Sequence, residues 1–308
     1  LAVVDTTTST VWRVKHDRRV NPKDVSTQSI RSIAWGEHFI AVGGVGNVVS
    51  ILAPTEPYQI LHTIEPTGFV GSIDWLPGSN KLLLGSREGK ATIHELWENH
   101  DSVQSFHFPS TPTAVREIQS KTIHTIDRKN AWVNAVQFKP GQNFFAIGDS
   151  LGILAVYSFE DAKMMELINV ANFKLEASIL DIQWSLDGNY LYAGGEDYAI
   201  TVISTEQWEP VHKIQRDRWV QFISSSRSST HLAVGGVTSE VSILDVNKGW
   251  DNIINVSLKG LVPLSANWHP DDQYLVLTGQ DNSILAIETT NARHVPGHFL
   301  RSSYPILS

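Results

Sequence analysis

The chain has 308 residues and a net charge of −8, with 42% hydrophobic residues, 18% charged residues and no cysteine. That apolar share over this length can bury a large core, which excludes a globally disordered chain. The acidic excess argues against nucleic-acid binding, which depends on neutralising phosphates. The lack of cysteine excludes disulfides, thiolate metal ligands and cysteine nucleophiles.

Two short strands are predicted at the start of the chain, at Ala2–Asp5 and Val11–Val14. No basic-then-apolar leader precedes them, and the first residue is Leu1 rather than methionine. We therefore expect a processed chain or a fragment of a larger one. No apolar run approaches the roughly 18 residues that a membrane-spanning helix needs, so we expect no membrane insertion.

One pattern then recurs six times along the chain. Each copy has two apolar residues three apart, an aromatic, a turn, an apolar run that ends in small residues, a second turn, and alternating apolar residues. In the first copy these features fall at Ile30, Ile33 and Trp35, followed by the run Phe39–Gly44. The aromatic anchors are Trp35, Trp75, Phe138, Trp184 and Trp268, and the fifth copy is looser, with Trp219 and Phe222 three apart.

The spacing of the anchors predicts the architecture. Trp35 and Trp75 are 40 residues apart, and Trp184 and Trp268 are 84 apart, which makes two repeats of 42. A period of about 40–45 residues with several short strands is typical of β-propeller blades. The 63 residues from Trp75 to Phe138 predict one blade with an insertion of about 20 residues. We place this insertion at about 97–119.

The two chain ends complete the prediction. Ala2–Asp5 aligns with Ala41–Gly44 inside the first repeat, so the N-terminal strands predict a blade that lacks its first strand. The segment Ser303–Leu307 could supply that strand and leave no free sheet edge. We predict an all-β fold with residues 1–308 as a single domain. It would be a seven-bladed β-propeller of four-stranded antiparallel blades, with its first and last blades closed by the N- and C-terminal strands.

These residues resemble the WD-repeat family. Trp184-Ser185-Leu186-Asp187-Gly188 and Trp268-His269-Pro270-Asp271 are close variants of its repeat motif. Asp197 and Asp281 match the family's turn aspartate, which implies a structural role for both. The chain departs from the family because no Trp-Asp dipeptide ends any repeat. The resemblance also implies that the loops entering the innermost strands form a partner-binding face.

No motif in the sequence predicts catalysis. His94, His100 and His107 form the densest histidine group, but they lack the spacing of a zinc site. The glycines of Gly43–Gly46 are followed by neither a helix nor a Lys-Ser/Thr pair, so they do not predict a phosphate loop. We predict no catalytic residue, no metal site and no cofactor, and hence no enzymatic activity.

The loops that enter the innermost strands carry aromatic and basic residues, the types enriched at protein interfaces. The predicted partner-binding residues are Phe69, Arg128, Trp132, Phe173, Arg216 and Trp219. The basic residues oppose the overall charge and so indicate an acidic peptide or phosphopeptide partner. For Phe69 and Trp132, packing between blades is the open alternative.

The sequence therefore favours a non-catalytic protein–protein interaction scaffold that binds a protein or peptide through the mouth of the propeller. Two alternatives stay open: a propeller enzyme with a channel-mouth active site, and a propeller domain of a subunit in a large multiprotein assembly. The lack of cysteine and of a leader favours the cytoplasm or the nucleus.

Overall fold

The computed structural model describes residues 2–5, 10–13, 30–44, 46–55, 59–99, 117–160, 166–258, 260–280, 283–289, 293–294 and 300–301. These residues form antiparallel sheets and one short 3-10 helix at Val246–Lys248. None of the described segments forms a helix long and apolar enough to cross a membrane.

Each of the six repeats forms one antiparallel sheet whose first strand lies innermost. The innermost strands are β3 (Ile30–Trp35), β7 (Val70–Trp75), β11 (Val133–Phe138), β15 (Ile179–Trp184), β19 (Val220–Ser225) and β23 (Pro263–Trp268). Each of the first five contacts the innermost strand of the next blade. The second strands are β4 (Ile40–Gly44), β8 (Lys81–Ser86), β12 (Phe144–Asp149), β16 (Tyr190–Gly195), β20 (His231–Gly236) and β24 (Tyr274–Gly279).

The third and fourth strands of each blade follow in chain order towards the outside of the sheet. The third strands are β5 (Val49–Leu52), β9 (Lys90–Glu98), β13 (Ile153–Phe159), β17 (Ala199–Ser204), β21 (Glu240–Asp245) and β25 (Ser283–Glu288). The outermost strands are β6 (Ile60–Ile64), β10 (Ile118–Asp127), β14 (Leu167–Lys174), β18 (Glu209–Gln215), β22 (Asp251–Ser257) and the pair β26 (Arg293–His294) and β27 (Leu300–Arg301).

The described residues form six blades, so the prediction of seven is wrong. Among them, the N-terminal strands β1 (Ala2–Asp5) and β2 (Thr10–Arg13) pair only with each other, as a two-stranded sheet with Val3 opposite Trp12. The C-terminal strands β26 and β27 both pair with β25 and complete the sixth blade. The predicted closure between the two chain ends is therefore absent from the described residues, and Ser303–Leu307 lies outside them.

The hydrophobic core lies between consecutive blades. Five hydrophobic clusters lie one at each junction, from the first and second blades to the fifth and sixth. In the second blade, Trp75 packs against the first blade and is only 5% exposed. The equivalent Trp35 of the first blade is 57% exposed. Trp35 is therefore more accessible than Trp75, although Ile40, Val42 and Leu52 of the first blade form a separate buried cluster.

The predicted insertion falls between two paired strands. β9 and β10 are neighbours in the second blade, and their pairing begins with Ile118 opposite Glu98. Of the predicted stretch 97–119, residues 100–116 lie outside the described residues. The insertion remains a prediction, as does the single-domain assignment.

Candidate partner-binding face

One end of the propeller is formed by the starts of the innermost strands and by the turns between second and third strands; we call it the upper face. Phe69, Trp132 and Trp219 lie there, each one residue before an innermost strand. Backbone hydrogen bonds hold this position: the Arg87 N–H donates to the Phe69 carbonyl and the Ser150 N–H to the Trp132 carbonyl, both at 2.9 Å. These hydrogen bonds fix the backbone at Phe69 and Trp132 without engaging their side chains.

The backbone at Trp219 is held by close packing against a glycine. A Cβ atom on Gly236 would lie 1.9 Å from the Trp219 carbonyl oxygen. Only a glycine permits that approach. This close contact with the end of β20 therefore fixes the backbone position of Trp219.

The two tryptophans are accessible. Trp132 is 53% exposed and Trp219 is 40% exposed, and Leu151 and Val237 in adjacent turns of the same face are also exposed. Phe69 is half-buried. Exposed aromatic residues on a rigid rim can supply contact area to a partner at little cost in conformational entropy. For Trp132, this exposure favours an interface over packing between blades.

Four side chains of the upper face alternate guanidinium and ring; we call them the arginine–aromatic row. The Cζ atom of Arg87 lies 4.6 Å from the centroid of the Phe69 ring and 5.1 Å from that of the Trp132 ring. The Cζ atom of Arg31 lies 5.9 Å from the Phe69 centroid. Burial, and then the nearby charge of Arg31, lowers the pKa of Arg87. Arg31 and Arg87 were not among the residues predicted from the sequence.

The side chain of Arg128 is engaged within the protein, so it is not free to bind the acidic partner that the sequence predicted. Its Nε and Nη2 donate to Oδ2 of Asp149 at 3.2 and 2.9 Å, and the two side chains are 15% and 2% exposed. Oδ1 of Asp149 accepts the N–H groups of Leu151 and Ile153, which closes the turn after β12. Arg128 therefore joins the second blade to the third.

Arg216 is also held internally. Its guanidinium donates to the Ser242 hydroxyl, which in turn donates to Oδ1 of Asn255 at 2.7 Å. Burial lowers the pKa of Arg216. Its main role in this structure is to fix the loop that precedes Trp219.

Phe173 lies away from the mouth, at the end of the outermost strand β14. It lines a groove of about 320 Å³ with Asp197 and the ion-paired residues Glu176 and Lys213. Oδ1 of Asp197 accepts the Ala199 N–H at 3.3 Å, whereas its Oδ2 is buried with no hydrogen-bond partner. The turn role of Asp197 thus has local support, and Asp281 lies outside the described residues.

Two carboxylates lie on the channel side of the innermost strands. Burial raises the pKa of Asp74 to about 7 and that of Asp181 to about 7. Each accepts two backbone N–H groups, one from its own strand and one from the next blade. Both oxygens of each group are therefore engaged: Oδ1 within its own strand, and Oδ2 with the next blade.

Of the histidine group, His94 lies in the described part of the chain. His94 is buried, its ring bonds to Thr92 and Thr122, and burial lowers its pKa to about 4. His100 and His107 lie outside the described residues. Within the described part of the chain, no three histidine or acidic side chains come together as metal ligands do.

Comparison with known proteins identifies distant relatives. No protein-family model matches the chain. Actin-related protein 2/3 complex subunit 1A-B of Xenopus laevis is 23% identical over 242 residues, which cover 70% of this chain and 59% of the relative. Protein HIR1 of Kluyveromyces lactis is 22% identical over 249 residues, 71% of this chain and 28% of the relative. THO complex subunit 3 of Arabidopsis thaliana is 20% identical over 233 residues, 67% of this chain and 73% of the relative.

These relatives are WD-repeat proteins, and the chain folds into propeller blades, so the predicted resemblance is confirmed. Two of the relatives are named as subunits of protein complexes. The chain spans less than two thirds of the length of the frog relative and of HIR1.

Proposed function

We propose that this WD-repeat propeller is a non-catalytic scaffold subunit that binds a protein partner through its upper face. The observation that carries the proposal is the contrast among its tryptophans. Trp75 and Trp184 of the innermost strands are buried between blades, whereas Trp132 and Trp219 project from the upper face. An aromatic side chain held on a rigid backbone and left exposed is typical of a binding anchor.

The proposal assigns contact with the partner to Phe69, Trp132 and Trp219. Arg128 and Arg216 support the face by fixing its loops through Asp149 and Ser242. The complexes named for the relatives are consistent with a subunit role. We place the protein in the cytoplasm or the nucleus, with no cofactor and no nucleic-acid partner.

A second candidate function is a channel-mouth active site, favoured by the raised pKa of Asp74 and Asp181. A carboxyl group that titrates near neutrality can act as a general acid or base. Here, however, each carboxylate already accepts two backbone N–H groups, one from its own strand and one from the next blade. We therefore favour the scaffold.

The proposal is tested by substituting exposed tryptophans and capturing partners from an extract of the source cells. Truncation of an interface anchor typically costs about 2 kcal/mol or more in binding. We expect Trp132→Ala and Trp219→Ala to lose captured partners while keeping the wild-type melting temperature. Trp97→Ala is the matched control, because Trp97 is 39% exposed but lies near the end of β9, away from the upper face.

Two outcomes would contradict the proposal. In one, both variants capture the same partners as the wild type. In the other, Trp97→Ala loses partners as readily as they do. A large fall in melting temperature for both variants would return these side chains to a packing role, since loss of a buried tryptophan costs roughly 3–5 kcal/mol of stability.

A further inference from the structure

The arginine–aromatic row carries two positive charges that no ion pair among the described residues neutralises. Within the described residues, no carboxylate lies within ion-pair distance of Arg31 or Arg87. Arg128, by contrast, has Asp149. Two uncompensated guanidiniums beside each other repel, which lowers stability unless an anion binds them.

The rings of the row hold the guanidiniums in place for binding. Arg87 lies between the rings of Phe69 and Trp132, and Arg31 lies over Phe69. Cation–π contact with the rings restrains each guanidinium, and the planar guanidinium can bind a carboxylate in a bidentate manner. Less side-chain entropy is then lost when a ligand arrives.

The surroundings favour a peptide over a polynucleotide. Single-stranded nucleic acids need a continuous basic groove that follows their phosphates. Here Glu88 follows Arg87 directly in the turn after β8, Glu196 occupies the equivalent turn of the fourth blade, and the chain carries a net charge of −8. A short acidic segment can reach two arginines and avoid these carboxylates.

We infer that the arginine–aromatic row binds an acidic peptide segment, whose carboxylates pair with Arg31 and Arg87 and whose apolar side chains pack on Trp132. This inference rests on the proposed function, because it names the chemistry of the partner at the same face. It moves the acidic-partner prediction from Arg128 and Arg216 to Arg31 and Arg87.

The test uses two fluorescein-labelled peptides of twelve residues, one alternating Glu and Leu and one alternating Gln and Leu. Binding to the purified full chain is followed by fluorescence anisotropy at low salt. We expect the Glu peptide to bind at least about tenfold more tightly than the Gln peptide, because charge-assisted hydrogen bonds are stronger than neutral ones. Its affinity should fall as salt is raised.

Variants assign the binding to the row. We expect Arg31→Gln and Arg87→Gln each to weaken binding of the Glu peptide by about tenfold, and Arg87→Lys to restore part of it. Arg227→Gln is the matched control: it removes the same charge from an exposed turn at the opposite end of the fifth blade. It should bind like the wild type. Melting temperatures confirm that each variant is folded.

The inference is overturned if the wild type binds neither peptide, if it binds both equally, or if Arg227→Gln weakens binding as much as Arg87→Gln does. Tighter binding of a labelled oligo(U) than of the Glu peptide would overturn it in favour of a nucleic acid. Tighter binding of a phosphoserine peptide would do so in favour of a phosphorylated partner. The proposed function fails separately, when Trp132→Ala and Trp219→Ala still capture the wild-type partners.

Discussion

Oδ2 of Asp181 in the fourth blade accepts the backbone N–H of Ile223 in the fifth blade at 2.7 Å. Asp74 makes the same contact with Phe138, also at 2.7 Å. At another position a hydroxyl group makes the equivalent hydrogen bond between blades: Oγ of Ser72 accepts the Val136 N–H at 3.1 Å. Side chains on the innermost strands thus join consecutive blades around the channel, and two of these side chains can ionise.

The joint made by Asp181 predicts a pH dependence. Because the folded pKa of Asp181 is about 7, above the usual value of 3.8, folding favours its protonated form. The resulting stability is fully present below the unfolded pKa and is lost as pH rises through 7. In Asp181→Ser, a hydroxyl replaces the carboxylate as acceptor, as in Ser72, and does not titrate.

Urea unfolding at pH 5 and pH 8.5 measures this effect as a difference between wild type and Asp181→Ser. We expect the wild type to lose about 1 kcal/mol or more of unfolding free energy relative to the variant at the higher pH. A difference that stays constant, or that favours the wild type at pH 8.5, would contradict the assignment. Asp181→Ala should be less stable than Asp181→Ser by about 1–3 kcal/mol at both pH values, because two N–H groups lose their acceptor.

A matched pair of tryptophans tests how burial of the same repeat position affects stability. Trp35 and Trp75 occupy the same position in consecutive blades, but they are 57% and 5% exposed. We expect Trp75→Ala to cost roughly 3–5 kcal/mol of stability. Trp35→Ala should cost about 1 kcal/mol or less, as surface substitutions do. Chemical denaturation provides both values, and equal losses would contradict a difference set by burial.

The positively charged side chain of Lys139 lies buried between the third and fourth blades. Its side chain is buried, Nζ donates to Oγ1 of Thr205 at 3.1 Å, and Nζ lies 5.5–5.7 Å from the ring centroids of Phe144, Trp184 and Trp208. Lys139→Ala should cost about 2 kcal/mol or more, since it removes both the packed stem and the cation–π contacts. Lys139→Met keeps the stem and should recover at least half of that loss in thermal denaturation. If Met is no better than Ala, the stem contributes little to the packing.

The ion pair of Arg128 and Asp149 predicts a stability defect rather than a binding defect. Arg128→Ala leaves the buried Asp149 carboxylate without its partner, which typically costs about 3–5 kcal/mol. Asp149→Asn keeps an acceptor for the N–H groups of Leu151 and Ile153 and should cost less. Thermal melts rank the two variants, and a stable Arg128→Ala that fails to capture partners would return Arg128 to the interface.

Much of the fold was predictable because each blade is specified locally. Gly78, Gly141 and Gly188 all have φ between 66° and 75° and close turns at the predicted Pro-Gly and Asp-Gly pairs. The number of blades was not predictable in this way, since it depends on which strands the two chain ends pair with. β1 pairs with β2, and β27 pairs with β25, and the repeat pattern predicts neither pairing.

The candidate site was predictable only in part. Trp132 and Trp219 were predicted because interface-type residues stand just before innermost strands; both are exposed in the structure, and their binding role stays a prediction. Arg31 and Arg87 were missed because they approach Phe69 from two different blades, a relation that no local motif encodes. For the same reason the sequence could not show that Arg128 is neutralised by Asp149.

The most direct test of the central claim is site-specific photo-crosslinking. A p-benzoylphenylalanine is placed at position 132 in one variant and at position 97 in another, and both are irradiated in extract of the source cells. The scaffold proposal predicts a defined adduct with a partner protein from position 132 and none from position 97. An adduct from position 97 alone, or no adduct from position 132, would contradict binding at the upper face.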